Sequence, residues 1–285
     1  MNAAELILNS DGSIYHLGLH PEQVAPVIIT VGDQDRVGKI TRHFDKVEHQ
    51  VNRREFVTHT GWFKGKYLTV ISTGIGPDNI DIVMNELDAL ANIDLATRTP
   101  LPHPKQLKII RVGTTGGLQP EFPTETLVAS TGAFGMDGLL QFYQAETLQQ
   151  HDAVRALKGH CAGQWDFPVS PYYAPASVGM LQTLPKEFKQ GITMTNPGFY
   201  GPQGRQLRAP VRFPGYLDLL QKFQWEHHKI VNLEMETAAI FGLSALLGHE
   251  AASLSVILAN RAEGTFSENP AKAVEKLIQS VLDWI

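Results

Sequence analysis

The chain has 285 residues, 43% apolar and 19% charged, the balance of a globular protein with a sizeable core. Its 24 basic and 29 acidic residues give a net charge of −5 with no basic stripe, which argues against nucleic acid as a partner. The single cysteine, Cys161, excludes an internal disulfide and a cysteine-built metal site; no apolar run reaches the ~20 residues of a membrane helix, and no leader is visible, so a cytoplasmic protein with no membrane partner is expected.

Residues 1–25 are mixed and polar, and Ser13-Ile14-Tyr15-His16-Leu17-Gly18-Leu19 reads as an extended arm. His16 precedes His20 by four residues, a metal-pair spacing only on a helix, and Gly18 and Pro21 argue against that helix. Pro26–Val31 is a strand rich in branched residues, followed by Gly32-Asp33-Gln34-Asp35-Arg36 and an amphipathic helix to about Phe44. A glycine turn there frees backbone N–H groups for an anion, and Arg36 adds a guanidinium fork. An ordinary βα turn is the alternative. Arg53-Arg54-Glu55-Phe56 precedes a hairpin over Trp62–Val70, turning at Lys64-Gly65-Lys66. Thr69–Ser72 then runs into Thr73-Gly74-Ile75-Gly76-Pro77 and a helix from about Asn79 to Leu90, a second strand–glycine turn–helix unit.

Ile93–Lys108 carries Pro100, Pro102 and Pro104 and reads as a loop. Leu107–Val112 is a strand that enters Gly113-Thr114-Thr115-Gly116-Gly117, where glycines and hydroxyls can form a backbone nest for an oxyanion; with no lysine following, it is not a P-loop. Arg111 lies inside this apolar strand. A buried arginine needs a partner, either a core acid or an anionic ligand. Thr126–Ser130 is a further strand, Asp137–Gln150 has no clear period, Pro168–Pro175 is rich in turn residues, and Ala176–Thr183 starts a short helix. Gly191–Thr195 is a strand leading to Phe199-Tyr200-Gly201-Pro202-Gln203-Gly204-Arg205. Gln203 and Arg205 after an aromatic pair could read a planar ring bearing amide groups, or the segment is a glycine-rich surface loop.

The chain is organised around Lys229–Arg261. A strand at Ile230-Val231 leads into Asn232-Leu233-Glu234-Met235-Glu236-Thr237 and a helical run Ala238–Leu247 that Gly248 stops; a strand Leu254–Ala259 then ends in Asn260-Arg261. Glu234 and Glu236 fall at the carboxyl end of a strand, where open α/β sheets hold ligands. They could equally favour the positive end of the helix. Pro270–Trp284 is a last amphipathic helix. Repeated βα units with no linker or internal repeat predict one α/β domain over 1–285 with a mostly parallel sheet.

Six blocks resemble, in order, the nucleoside phosphorylase family, and within it the uridine phosphorylases: Gly32 through Arg36, Arg54-Glu55-Phe56, Thr73 through Gly76, Arg111 through Gly116, Phe199 through Arg205, and Glu234-Met235-Glu236. The resemblance implies a three-layer α/β/α fold around a central mixed sheet, a homodimer or hexamer of dimers, and pentosyltransferase chemistry on a nucleoside and phosphate. Carried over, Gly32, Arg36, Arg111 and Thr114 would bind phosphate, with Arg54 lent by the partner subunit. Phe199 would pack on the base, Gln203 and Arg205 would bond the uracil edge, and Arg261 would assist through water. Met235 and Glu236 would hold the ribose, with His16 reaching its 5′-hydroxyl from the neighbouring subunit; Glu234 and Asn260 would support them. No cofactor and no metal are implied beyond phosphate as co-substrate, although some members build a monovalent-cation site with Glu55 and a serine. Here Gly76-Pro77-Asp78-Asn79 stands where bacterial members carry Gly-Pro-Ser, Asp33-Gln34 replaces Asp-Pro, and Thr99–Lys105 resembles an insertion. Three other readings exist: a purine nucleoside phosphorylase, which favours an acid where Asn260 stands; a nucleosidase, which lacks the arginine set; and a non-catalytic nucleoside-binding protein.

Overall fold

A computed structural model describes residues 1–146 and 151–285, so the last four residues of the Asp137–Gln150 segment lie outside the described residues. Its packing divides the chain into two compact units, residues 1–111 with 243–251, and residues 112–242 with 252–285.

In the first unit the branched run forms β1 (Val27–Val31), followed by α1 (Gln34–Thr41), β2 (Lys46–Arg53), β3 (Phe56–Phe63), β4 (Lys66–Ser72), α2 (Pro77–Asn92) and the start of β7 (Lys108–Gly117). Strand β1 runs parallel to β4 on one side and β7 on the other, and β4, β3 and β2 form an antiparallel meander. The β3–β4 turn works because Lys64 and Gly65 both take positive φ, 47° and 75°, the geometry whose twist matches a two-residue hairpin. Asp33 caps α1 by accepting from Asp35 N at 3.0 Å. Pro77 starts α2, where a missing N–H is no loss, and Ile80, Val83, Met84 and Leu87 bury one face at helical spacing.

Two expectations need correction here. Ser13–Leu19 is no extended arm: Ile14, Leu17 and Leu19 are buried, and Gly18 N bonds Ile14 O at 2.9 Å, so this apolar set folds the segment into tight turns. The Pro-rich loop contains a small antiparallel pair, β5 (Ile93–Asp94) and β6 (Thr99–Pro100). Asn92 holds its far end, bonding Lys105 N at 2.6 Å and Lys105 O at 3.2 Å.

The second unit holds the rest of β7, then β8 (Leu127–Gly135), α3 (His151–Cys161), β9 (Tyr172–Pro175), α4 (Val178–Gln182), β10 (Lys189–Thr195), α5 (Tyr216–Gln221), β11 (Gln224–Trp225), β12 (His228–Glu234), most of β13 (Glu250–Asn260), β14 (Thr265–Phe266) and α7 (Pro270–Trp284); α6 (Thr237–Leu247) begins in it. The strand order β12-β10-β8-β13-β7 closes, because β7 also pairs with β12, antiparallel, at Gly116↔Leu233 and Gly117↔Asn232. The sheet is therefore mixed, with β8, β10 and β12 parallel and β13 antiparallel to β8, as the family resemblance implied and unlike the mostly parallel sheet that the repeated βα units predict. Strands β12 and β13 are not neighbours along this order; β10 and β8 stand between them.

Gly113–Gly117 is not a nest at a strand end. It continues β7 to its last residue. The glycines serve close approach: a Cβ on Gly117 would meet Ile257 at 3.0 Å, and one on Gly116 would lie 3.5 Å from Arg205 Nη2. The turn-rich Pro168–Pro175 segment ends as β9, which lays Tyr172 over Gly135. A Cβ on Gly135 would stand 2.1 Å from the Tyr172 ring. Gly135→Ala should therefore destabilise by roughly 1–3 kcal/mol through overpacking, read from a denaturant midpoint; an unchanged midpoint would disprove the crowding. The unit's core gathers Phe134, Trp165, Tyr173, Met194, Tyr216 and Phe223. No helix among the described residues is long and apolar enough to cross a membrane.

Candidate active site

Five of the expected site residues lie in the first unit. Gly32 follows β1, and the parallel register pairs Thr30 with Arg111, so Arg111 stands on β7 beside the carboxyl end of β1. On the other side, β4 runs into the Gly74 turn, whose carbonyl lies 3.5 Å from where a Gly32 Cβ would be. Adjacent parallel strands thus deliver the two glycine turns and Arg111 to one edge, with Arg36 in the first turn of α1. Arg111 is only 7% exposed, an interior guanidinium inside a run of aliphatic residues. Arg54 is exposed at φ 55°, its guanidinium 5.3 Å from the Tyr15 ring centre, and its carbonyl accepts from Gln34 Nε2 at 3.1 Å. Gln34, which replaces the expected proline, thereby ties the α1 turn to the Arg54 turn. His16 pairs with Glu86 at 2.6 Å.

The second unit carries the others. After β10, a short turn of helix at Gly201–Gln203 and Gly204 at φ 65° fold the loop back on itself. Arg205 Nη1 then donates to Gln203 Oε1 at 2.7 Å and to Phe199 O at 2.8 Å, and its guanidinium carbon sits 3.8 Å over the Phe199 ring. Gln203 is buried, while Phe199 is half exposed. Arg261 reaches the same loop, donating to Gln203 O at 3.1 Å and Gly204 O at 3.4 Å. Burial, with Arg261 nearby, lowers the Arg205 pKa to about 10; burial also lowers that of Arg261. Two desolvated cations therefore converge on one loop and favour an anion beside them.

Glu234 and Glu236 separate into different roles. Glu234 accepts from Thr195 Oγ1 at 2.5 Å, Glu236 N at 2.9 Å and Thr237 N at 3.0 Å, so it caps the start of α6. The helix-favouring alternative holds for Glu234, which fixes the backbone of Glu236. Glu236 is itself buried, and Met235 between them is partly exposed. Thr195, opposite Glu234 in the β10–β12 register, also accepts from Ala238 N at 3.0 Å. Thr195 drew no attention in the sequence; the one sign of it was a hydroxyl ending an apolar strand. Asp137 is a second residue missed. Tyr172 Oη donates to both its oxygens at 2.9 and 3.0 Å, and Leu139 N at 2.8 Å. Burial pushes the Asp137 carboxyl above its ordinary range, and the Glu234 charge adds to the rise.

Thr114 is partly exposed on β7, and the next residue, Thr115, joins a buried polar chain across the ring. Ser130 Oγ bonds Thr193 Oγ1 at 2.6 Å, Thr193 donates to Asn232 Oδ1 at 2.8 Å, Asn232 Nδ2 to Thr115 Oγ1 at 2.9 Å, and Thr115 to Leu233 O at 2.7 Å. Asn260 is structural: its amide donates to Gln119 O and Phe122 O, and its oxygen accepts from Ala262 N and Glu263 N. Among the described residues no group of three His, Cys, Asp or Glu side chains is placed to hold a metal ion. Glu55 lies against the Gly74 turn, its Cγ 3.3 Å from where a Gly74 Cβ would stand.

The sequence profile of the phosphorylase superfamily matches residues 26–284. The uridine phosphorylase of Thermococcus kodakarensis is 26% identical, over 99% of this chain and 91% of its own length. That of Haemophilus influenzae is 27% identical, over 93% and 96%. The crystal structure of a Trypanosoma brucei nucleoside phosphorylase that shows uridine phosphorylase activity superposes with a TM-score of 0.89 at 28% identity, over 98% of both chains. By fold and by sequence along nearly its whole length, the chain belongs to the phosphorylase superfamily, in the company of nucleoside phosphorylases.

Proposed function

We propose that this chain is a uridine phosphorylase, cleaving uridine reversibly with phosphate to uracil and ribose 1-phosphate. The observation that carries the reading is the Phe199–Gln203–Arg205 arrangement. With Arg205 bonded to Gln203 Oε1, the amide is oriented: its oxygen keeps a lone pair for the uracil N3–H, and its NH2 is left for a carbonyl. Arg205 and Arg261 supply charge for the departing base.

Breaking the N-glycosidic bond builds positive charge on the sugar and negative charge on the base. Gly32, Arg36, Arg111 and Thr114, with Arg54 from a neighbouring subunit, would seat phosphate under the anomeric carbon, a positioning effect that also sets an anion against the developing cation. Glu236 and Met235 would hold the ribose, with Glu236 fixing hydroxyls rather than transferring a proton. Asn260 spends its amide on backbone groups, and this disfavours the purine reading, which favours an acid there. The chain would act as one nucleoside phosphorylase-like α/β/α domain over 1–285, cytoplasmic, in a homodimer or hexamer of dimers, with phosphate as its only co-substrate.

The test is uracil release from uridine with and without phosphate, beside inosine and thymidine, with sedimentation of the active species. Uridine cleavage should require phosphate and an oligomer. Equal release without phosphate would make the protein a hydrolase, and a fully active monomer would end the role of Arg54 and His16 in a neighbour's site.

A further inference from the structure

Glu86 lies in the middle of α2, two turns from the Gly76-Pro77 start, and belongs to none of the motifs that mark the site. Its carboxylate gathers one short segment. His16 N donates to both its oxygens at 3.1 Å, Leu17 N donates to Oε2 at 2.9 Å, and His16 Nδ1 stands 2.6 Å from Oε1. The Glu86 side chain is 13% exposed and that of His16 29%.

The backbone donors offset the desolvation of the acid and fix its orientation. An ionised carboxylate only accepts hydrogen bonds, so a contact of this length requires the proton to sit on Nδ1. The hydrogen bond at one ring nitrogen sets the state of the other. In the neutral ring Nε2 then carries the lone pair.

We propose that Glu86 is a positioning residue for sugar recognition: it holds His16 as the Nδ1–H tautomer, so that Nε2 presents an acceptor to a hydroxyl donor. Under the reading above, on which this inference rests, that donor is the ribose 5′-hydroxyl. A base-side or phosphate-side role is not involved. The tautomer sets the sense of that hydrogen bond: the hydroxyl donates to Nε2 rather than accepting from it.

Glu86→Gln separates this from a scaffold role. The amide oxygen can still accept from His16 N and Leu17 N and keep the turn. Its NH2 would then face Nδ1, which moves the ring proton to Nε2 and turns the presented acceptor into a donor. Two measurements on the full-length protein decide. Long-range 1H–15N spectra of histidine-labelled protein, with His16 assigned by its loss in His16→Asn, should show Nδ1–H in the wild type and Nε2–H in Glu86→Gln. A wild-type ring protonated on Nε2, alone or on both nitrogens, overturns the proposal, whatever the activity. Steady-state kinetics with saturating phosphate should show the wild type preferring uridine to 5′-deoxyuridine, and Glu86→Gln losing part of that preference, up to about tenfold, because the hydroxyl must turn from donating to Nε2 to accepting from Nε2–H. Equal losses on both substrates would make Glu86 a scaffold residue and overturn the proposal. A wild type inactive on every nucleoside would sink the phosphorylase reading, while the spectra would still decide the part played by Glu86.

Discussion

Arg111→Ala is expected to lower uridine cleavage at fixed phosphate by roughly 10²–10³-fold, the usual effect of losing one preorganised donor at a centre of developing charge. Arg111 is 7% exposed, and its strand partner Thr30 stands two residues before Gly32. An interior guanidinium presents charge with little competing water, so the proposed bonds to a phosphate would be charge-assisted in a weakly screened setting. The apparent KM for phosphate should rise together with the fall in kcat. Arg111→Lys should recover part of the loss, since it restores charge without the two-pronged fork. Arg111 also has contacts within the fold, so the thermal midpoint must be followed alongside. A folded Arg111→Ala protein with unchanged phosphate dependence would remove the phosphate site from this edge of β1 and β7.

Local chemistry was legible where one residue type had one use. The Lys64-Gly65 hairpin, the β1 run, and the amphipathic spacing of α1 and α7 follow from turn geometry and periodicity, and all four form. Glu234-Met235-Glu236 was legible as a pair of acids at a strand end. Its division of labour was not, because Thr195, 39 residues earlier, makes Glu234 a cap. The ring closure was hidden for a related reason. Gly113–Gly117 has the composition of a turn, yet its glycines are what let β7 pair with β12 at one end while Ile257 packs against Gly117. Helices α3 and α5 went unread because α5 is only six residues long and the buried face of α3 is made of Ala153, Leu157 and Cys161, two of them small; both pack into the cluster of Trp165, Tyr216 and Phe223. Glu86 looked like an ordinary polar position on an amphipathic helix. Only the folded turn at His16 gives it partners.

If the loop from Phe199 to Arg205 reads the base as proposed, Arg205→Ala should produce the second large effect. The guanidinium does three things at once: it stacks on Phe199 at 3.8 Å, bonds Gln203 Oε1 at 2.7 Å, and shares a half-buried loop with Arg261. Its pKa falls to about 10, so it stays charged at neutral pH but in surroundings that disfavour the charge. Uracil leaving as an anion relieves that penalty, and the relief grows along the reaction, so it is larger in the transition state than with bound uridine. Removing Arg205 should therefore lower kcat for uridine by roughly 10²–10³-fold, with a smaller change in KM. It should also blur selectivity. In the intact loop the Gln203 amide is held with its oxygen toward Arg205, which suits uracil with its N3–H and flanking carbonyls. Cytosine offers an unprotonated N3 and an amino group, leaving partners unsatisfied at about 1–3 kcal/mol each. Without Arg205 the amide can flip, its oxygen and NH2 exchange places, and that penalty shrinks. The ratio of kcat/KM for uridine over cytidine should be large in the wild type and fall in Arg205→Ala, while KM for phosphate stays close to its wild-type value. A variant that keeps the full uridine preference would show that the loop from Phe199 to Arg205 does not read the base, and a wild type that prefers inosine would show that it does not read uracil.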